Sequence, residues 1–157
     1  MRANSSERGF TMAELVMVIV IMGVLAVVAL PRIQASMGFD DEAWRQDVAT
    51  ALRHAHHTAV AARRLVCANV ATGSVTLSIA GANPASSCSA SIPGYNGNAA
   101  FASSSKAPAT TSATLYFQPS GRVTSDGAGS TAADFTITIS SQPSTTVSVT
   151  GETGHVE

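Results

Sequence analysis

Between Phe10 and Leu30 the chain is apolar almost throughout, and its only charge is Glu14. As a helix that run spans ~30 Å, about the thickness of a bilayer's hydrocarbon core. Apolar residues fall on every face, so the pattern predicts a helix lying in lipid or among other apolar helices. After Pro31 the pattern changes. Placing successive residues about 100° apart sets Trp44, Val48, Ala51, Leu52, Ala55, Ala59, Ala62 and Val66 on one narrow arc. Gln46, Arg53, His57 and Arg64 fall opposite, flanked by Arg45, His56 and Arg63. This predicts an amphipathic second half of the helix over residues 32–64, its apolar face buried against a sheet. The alanines on that face let helix and sheet backbones approach closely. Asp40 or Asp41 is the expected cap of this second portion.

From residue 65 the period drops to two. Leu65–Val70 and Val75–Ile79 are predicted as paired strands around Thr72-Gly73-Ser74. Residues 80–113 are rich in Ser, Ala, Gly and Asn and contain Pro84, Pro93 and Pro108, which predicts a long loop with at most a short strand. Strands resume at Thr114–Phe117, turn at Gln118–Gly121 and continue through Arg122–Thr124. Asp134–Ile139 and Thr146–Val149 alternate cleanly, ahead of a closing Thr153-Gly154-His155-Val156. Alternation of this kind gives half-buried antiparallel strands. The expected fold class is α+β, a long N-terminal helix with an apolar and an amphipathic half packed on an antiparallel β-sheet.

Composition adds bounds. The 157 residues allow one small domain beside the apolar segment. Net charge is −1 and only 12% of residues are charged, so bulk charge argues neither for nor against nucleic acid. Aromatics make up 5%, which predicts a light core. No Gly-x-Ser-x-Gly turn, phosphate loop or dinucleotide glycine pattern is present, and no activated nucleophile can be named, so neither catalysis nor a cofactor is expected. His54, His56 and His57 lack a carboxylate to complete a metal set and have Arg53 beside them, so they read as solvated surface rather than a metal site.

The carboxylate of Glu14 costs roughly 2.5–3.5 kcal/mol in a membrane segment on insertion scales. It asks for a partner. A short basic leader ending in Gly9, then Phe10, a glutamate at Glu14, and an apolar helix ending at Pro31 resembles the processing signal of type IV pilins and type II secretion pseudopilins. An ordinary signal peptide would put its cleavage site after the apolar run, where Pro31 disfavours it. The resemblance implies that residues 1–9 are a leader removed between Gly9 and Phe10 by a membrane peptidase, which then methylates the Phe10 amine. In a fibre, Glu14 of one subunit would neutralise the Phe10 ammonium of its neighbour, and a carboxylate in a helix's first turn also suits the helix dipole. Residues 10–31 would cross the membrane and later form the filament core, with Gly23 to Pro31 able to lose helicity on assembly. Residues 65–157 would be a periplasmic or extracellular β-rich domain. Arg2 and Arg8 keep the leader cytoplasmic. The implied partners are inner-membrane lipid, the peptidase and methyltransferase, an inner-membrane assembly platform and other pilin subunits, on the way to a pseudopilus or surface pilus.

The turn Tyr116-Phe117-x-x-x-Gly121-Arg122 and the closing Thr153-Gly154-His155-Val156 resemble the GspH/FimT group of minor pilins and pseudopilins, which initiate or cap fibres. Some members of that group bind DNA, which makes Arg53, His57, Arg64 and Arg122 candidate phosphate contacts. A DNA- or surface-binding pilus receptor is thus an alternative function, and an anchored periplasmic domain that never assembles is another. With the domain outside the cytoplasm, the two cysteines, Cys67 and Cys88, are expected to form a disulfide.

Overall fold

Helix α1 runs Met12–Ala62, 51 residues, and eight strands follow it among the described residues. The computed structural model describes residues 11–140 and 145–157, with residues 27–39 described in backbone only. The chain divides into two units, one up to Met37 and one over Gly38–Glu157, each treated by itself.

In the second unit, Trp44, Val48, Ala51, Leu52, Ala55 and Ala59 of α1 are buried, as their arc predicts. No cap interrupts the helix at Asp40 or Asp41. The acidic cluster is held by side-chain partners instead: within the helix Glu42 accepts hydrogen bonds from Arg45 at 2.8 Å and from Gln46 at 2.9 Å, and Asp40 pairs with Lys106, well beyond the helix, at 3.5 Å. The bond from Arg45, and then that from Gln46, pulls the Glu42 carboxyl from an ordinary 4.5 down to about 2. At its other end the helix stops at Ala62, short of the expected 64. Arg63 takes a left-handed φ of 51°, and its N–H reaches the Val60 carbonyl at 3.3 Å while Arg64 reaches Ala59 at 3.2 Å. This is a Schellman ending with arginine where glycine is usual. Ala62 is therefore exposed, and Val66 belongs to the first strand.

Strands β1 (Val66–Ala71), β2 (Ser74–Ile79), β3 (Ala90–Ile92), β4 (Ala102–Ser103), β5 (Ala113–Phe117) and β6 (Val123–Thr124) form one antiparallel sheet. Its order is β3-β2-β1-β5-β6, with β4 also on β2. The register sets Val66 between Ile79 and Phe117, and Ala68 between Leu77 and Leu115. Those rows face the helix and make the core. Strands β7 (Phe135–Ile139) and β8 (Thr145–Val149) form a second, two-stranded sheet, and their Ile137, Ile139, Val147 and Val149 join the same core.

Both margins of that second sheet are occupied. Thr111 donates to Thr138 at 2.9 Å and Ser140 to Ala109 at 2.8 Å alongside β7. The C-terminal residues run beside β8, where Ser148 and Glu157 exchange two backbone bonds of 3.0 Å. The segment expected to be a loop over 80–113 thus contributes β3 and β4 and borders β7.

Candidate processing and assembly site

The N-terminal end of α1 is built by Thr11. Its Oγ1 accepts the Glu14 N–H at 3.2 Å, and its carbonyl accepts the Leu15 N–H at 3.2 Å. Thr11 is therefore the helix cap and Glu14 the third helical residue, the Thr-x-x-Glu spacing of a capping box. Sequence reasoning singled out Glu14 and passed over Thr11, although that spacing was visible. The cap fixes Glu14 in the first turn, where the dipole favours a negative side chain. Gly9 and Phe10, and with them the cleavage junction and the pairing of Glu14 with a Phe10 amine, lie outside the described residues.

Along this first unit every side chain from Thr11 to Ala26 is exposed. Met12 is 85% exposed, Met17 67% and Val24 64%. A helix stretch this apolar, with its described side chains exposed, is suited to lipid or to neighbouring helices around it. Among the described residues no helix is long and apolar enough to cross a membrane. The described side chains of the run end at Ala26, while the apolar sequence continues to Leu30. The backbone is helical through Gly23 and Pro31, and a Cβ built on Gly23 meets no atom within 4 Å. Among the described residues, no packing contact demands a glycine there.

A family model describing the prokaryotic N-terminal methylation motif matches residues 4–30, which include Gly9, Phe10, Glu14 and Gly23. The chain carries that methylation motif. It supports the type IV pilin and pseudopilin family and implies processing by prepilin peptidase and pilin-like assembly. No curated protein and no solved structure matches the chain. The matched motif covers, in order, a polar stretch containing Arg8, a capped helix start with a carboxylate, and an exposed apolar surface.

The remaining sequence-derived residues lie in the second unit. Cys67 on β1 and Cys88 ahead of β3 are disulfide-bonded, with Cα atoms 6.1 Å apart. The bond staples the loop to the sheet and in the chain-entropy model contributes ~3 kcal/mol. The basic residues are partly engaged. Arg53 donates to the Val156 carbonyl at 3.1 Å, and Arg122 pairs with Glu152 at 3.1 Å. Arg53 and His57 share a recess of about 170 Å³ with His56, Gly154 and His155, and Arg64 is exposed in the helix-ending turn.

The histidines differ from a uniformly solvated row. His57 is exposed, but His54 and His56 are half-buried. His54 stacks on Phe101 with ring centroids 4.8 Å apart. His56 lies against the Gly121 and Gly154 turns: a Cβ on Gly154 would come within 2.5 Å of the Gly121 carbonyl and of the His56 ring. Both glycines have left-handed φ angles, 90° and 68°. The two short motifs near the C-terminus thus meet each other on one helix residue. Among the described residues, no group of three or more metal-binding side chains occurs.

Proposed function

We propose that the chain is a minor pilin or pseudopilin, a structural subunit without catalytic activity of its own. It is cut after Gly9, methylated at Phe10, held in the inner membrane by residues 10–31 with its β-domain in the periplasm, and then drawn into a fibre. The observation that carries this reading is the helix surface from Met12 to Leu25, exposed and almost wholly apolar, which lies within the matched methylation motif. Packing of such helices against one another would hold the fibre together, with Glu14 setting their register through the neighbour's amine. The meeting of the Gly121 and Gly154 turns on His56 supports the GspH/FimT-like subtype, and with it a position that initiates or caps the fibre of a type II secretion system or a type IV pilus.

Amino-terminal and intact mass spectrometry tests the reading on protein from membranes and from sheared fibres. The expected chain begins at Phe10, is one methyl group heavier than its sequence, and is recovered from fibres. Glu14→Ala is expected to be cut and inserted but to be missing from fibres. A chain that keeps Met1 to Gly9 and stays in membranes would overturn the proposal in favour of a non-assembling anchored domain.

A further inference from the structure

Tyr95 is 80% exposed, yet the loop that carries it is closely fixed. The Gly94 N–H donates to the Asn98 carbonyl at 3.0 Å, and the Gly97 N–H donates to the Gly94 carbonyl at 2.8 Å. Gly94 itself is buried, and a Cβ there would come within 2.8 Å of the Ala100 and Phe101 carbonyls, so only glycine lets the two loop segments touch. Phe101 is anchored to β2 by its N–H, which donates to the Val75 carbonyl at 2.8 Å. Its ring stacks on His54 and meets the Tyr95 ring edge-on at 5.3 Å. The aromatic wall is set before any ligand arrives.

Beside that wall is an open recess of about 310 Å³, lined among others by Asp47 of α1, Tyr95, Asn96, Asn98, Phe101 and Ser103. The four polar residues are exposed, and among the described residues their side chains have no hydrogen-bonded or ion-paired partner. No lysine or arginine lines the recess.

We propose that this recess binds a neutral saccharide. A tyrosine ring offers a flat apolar face to the C–H side of a sugar ring and keeps a polar tip for a hydroxyl. The Asp47 carboxylate accepts from hydroxyl groups, while the Asn96 and Asn98 amides both donate and accept. That mixture suits a polyol, whose every hydroxyl is donor and acceptor at once. An unpaired carboxylate without a nearby cation disfavours phosphates and acidic sugars. Polar groups crowd the wall too much for an apolar ligand. The volume is at the small end for ligand sites, the size of a sugar ring or the end of a short chain. The proposal is independent of how the N-terminus is processed.

The test uses the full chain in a zwitterionic detergent without a sugar headgroup. Saturation-transfer NMR is run with N-acetylglucosamine, chitobiose, galactose, maltose and cellobiose. Saturation should pass to the ring protons of at least one of these sugars. Tyr95→Ala and Asp47→Ala should each weaken that binding at least tenfold with unchanged thermal unfolding, whereas Thr136→Ala, on the exposed face of β7, should leave it intact. Transfer to none of the five sugars would overturn the proposal, as would binding that survives both substitutions. So would capture of a trilysine peptide, sensitive to Asp47→Ala alone, in place of sugar.

Discussion

Trp44 on α1 and Thr110, 66 residues further along, are joined by a buried hydrogen bond in which the indole Nε1 donates to the threonine Oγ1 at 3.0 Å. Thr110 is tied down in turn: its hydroxyl donates to the Pro108 carbonyl at 3.0 Å, and its N–H donates to the Thr72 hydroxyl at 3.2 Å. One helix residue thus fixes the far end of the long connection before β5. Thr110→Val keeps the shape but leaves the indole N–H without its acceptor, and should destabilise the β-domain by about 1–3 kcal/mol. Thr110→Ser should recover most of the loss. Urea unfolding followed by tryptophan fluorescence would measure both, since Trp44 is the sole tryptophan.

Arg63 ends the helix in a conformation that suits glycine. Relieving it with Arg63→Gly should stabilise the domain by ~1 kcal/mol, because a side chain in the left-handed region costs about 1–2 kcal/mol and glycine's extra unfolded freedom returns part of it. A melting temperature that does not rise would show that the arginine side chain makes compensating contacts.

Among the described residues, a Cβ added at Gly23 meets no neighbouring atom. Gly23→Ala should therefore raise the helicity of the unassembled protein in detergent, in line with the ~1 kcal/mol advantage of alanine in helices. Circular dichroism reads that change, and fibre yield reads the second consequence. If the segment must extend during assembly, the same substitution lowers yield; an unchanged yield removes helix unwinding from the account.

Glu42 is held near 2 by Arg45 and Gln46. A carboxyl whose folded value lies below its unfolded one contributes stability above the unfolded value of 4.5, and that contribution fades as pH falls from there toward 2. The site is exposed, so the effect is small. Glu42→Gln should flatten the fall in melting temperature between pH 5 and pH 2.5 (chosen to bracket most of that window) and leave the value at pH 2.5 nearly unchanged. Equal slopes in both proteins would contradict this.

The buried arc of α1 was legible because its alternatives are few: Trp44, Val48, Leu52 and the alanines share a face only at helical spacing. The alternating strands β7 and β8, and the hairpin at Gly73, were legible for the same reason at period two. Three features were not. Asp40 and Asp41 look like a cap, but Arg45, Gln46 and Lys106 satisfy this acidic stretch without breaking the helix. The stop after Ala62 carries no glycine or proline, since Arg63 accepts strain that sequence rules assign to glycine. Strands β3 and β4 exist because β2 offers them partners; Ala90-Ser91-Ile92 and Ala102-Ser103 have no pattern strong enough to declare themselves. At the candidate site, the carboxylate was evident from its isolation among apolar residues, and its cap, Thr11, was legible too in the Thr-x-x-Glu spacing.

The strand margins carry a consequence for polymerisation. The larger sheet ends on β3, of three residues, and β6, of two. The smaller sheet is bordered by residues 109–111 on one side and by the C-terminus on the other. Unpaired strand edges are templates for indiscriminate pairing, and a subunit drawn into a fibre, as proposed above, would meet that hazard wherever copies crowd together. With only short or bordered strand margins among the described residues, the β-domain offers little to edge-to-edge pairing, and in the proposed fibre that would leave the contacts to the helices.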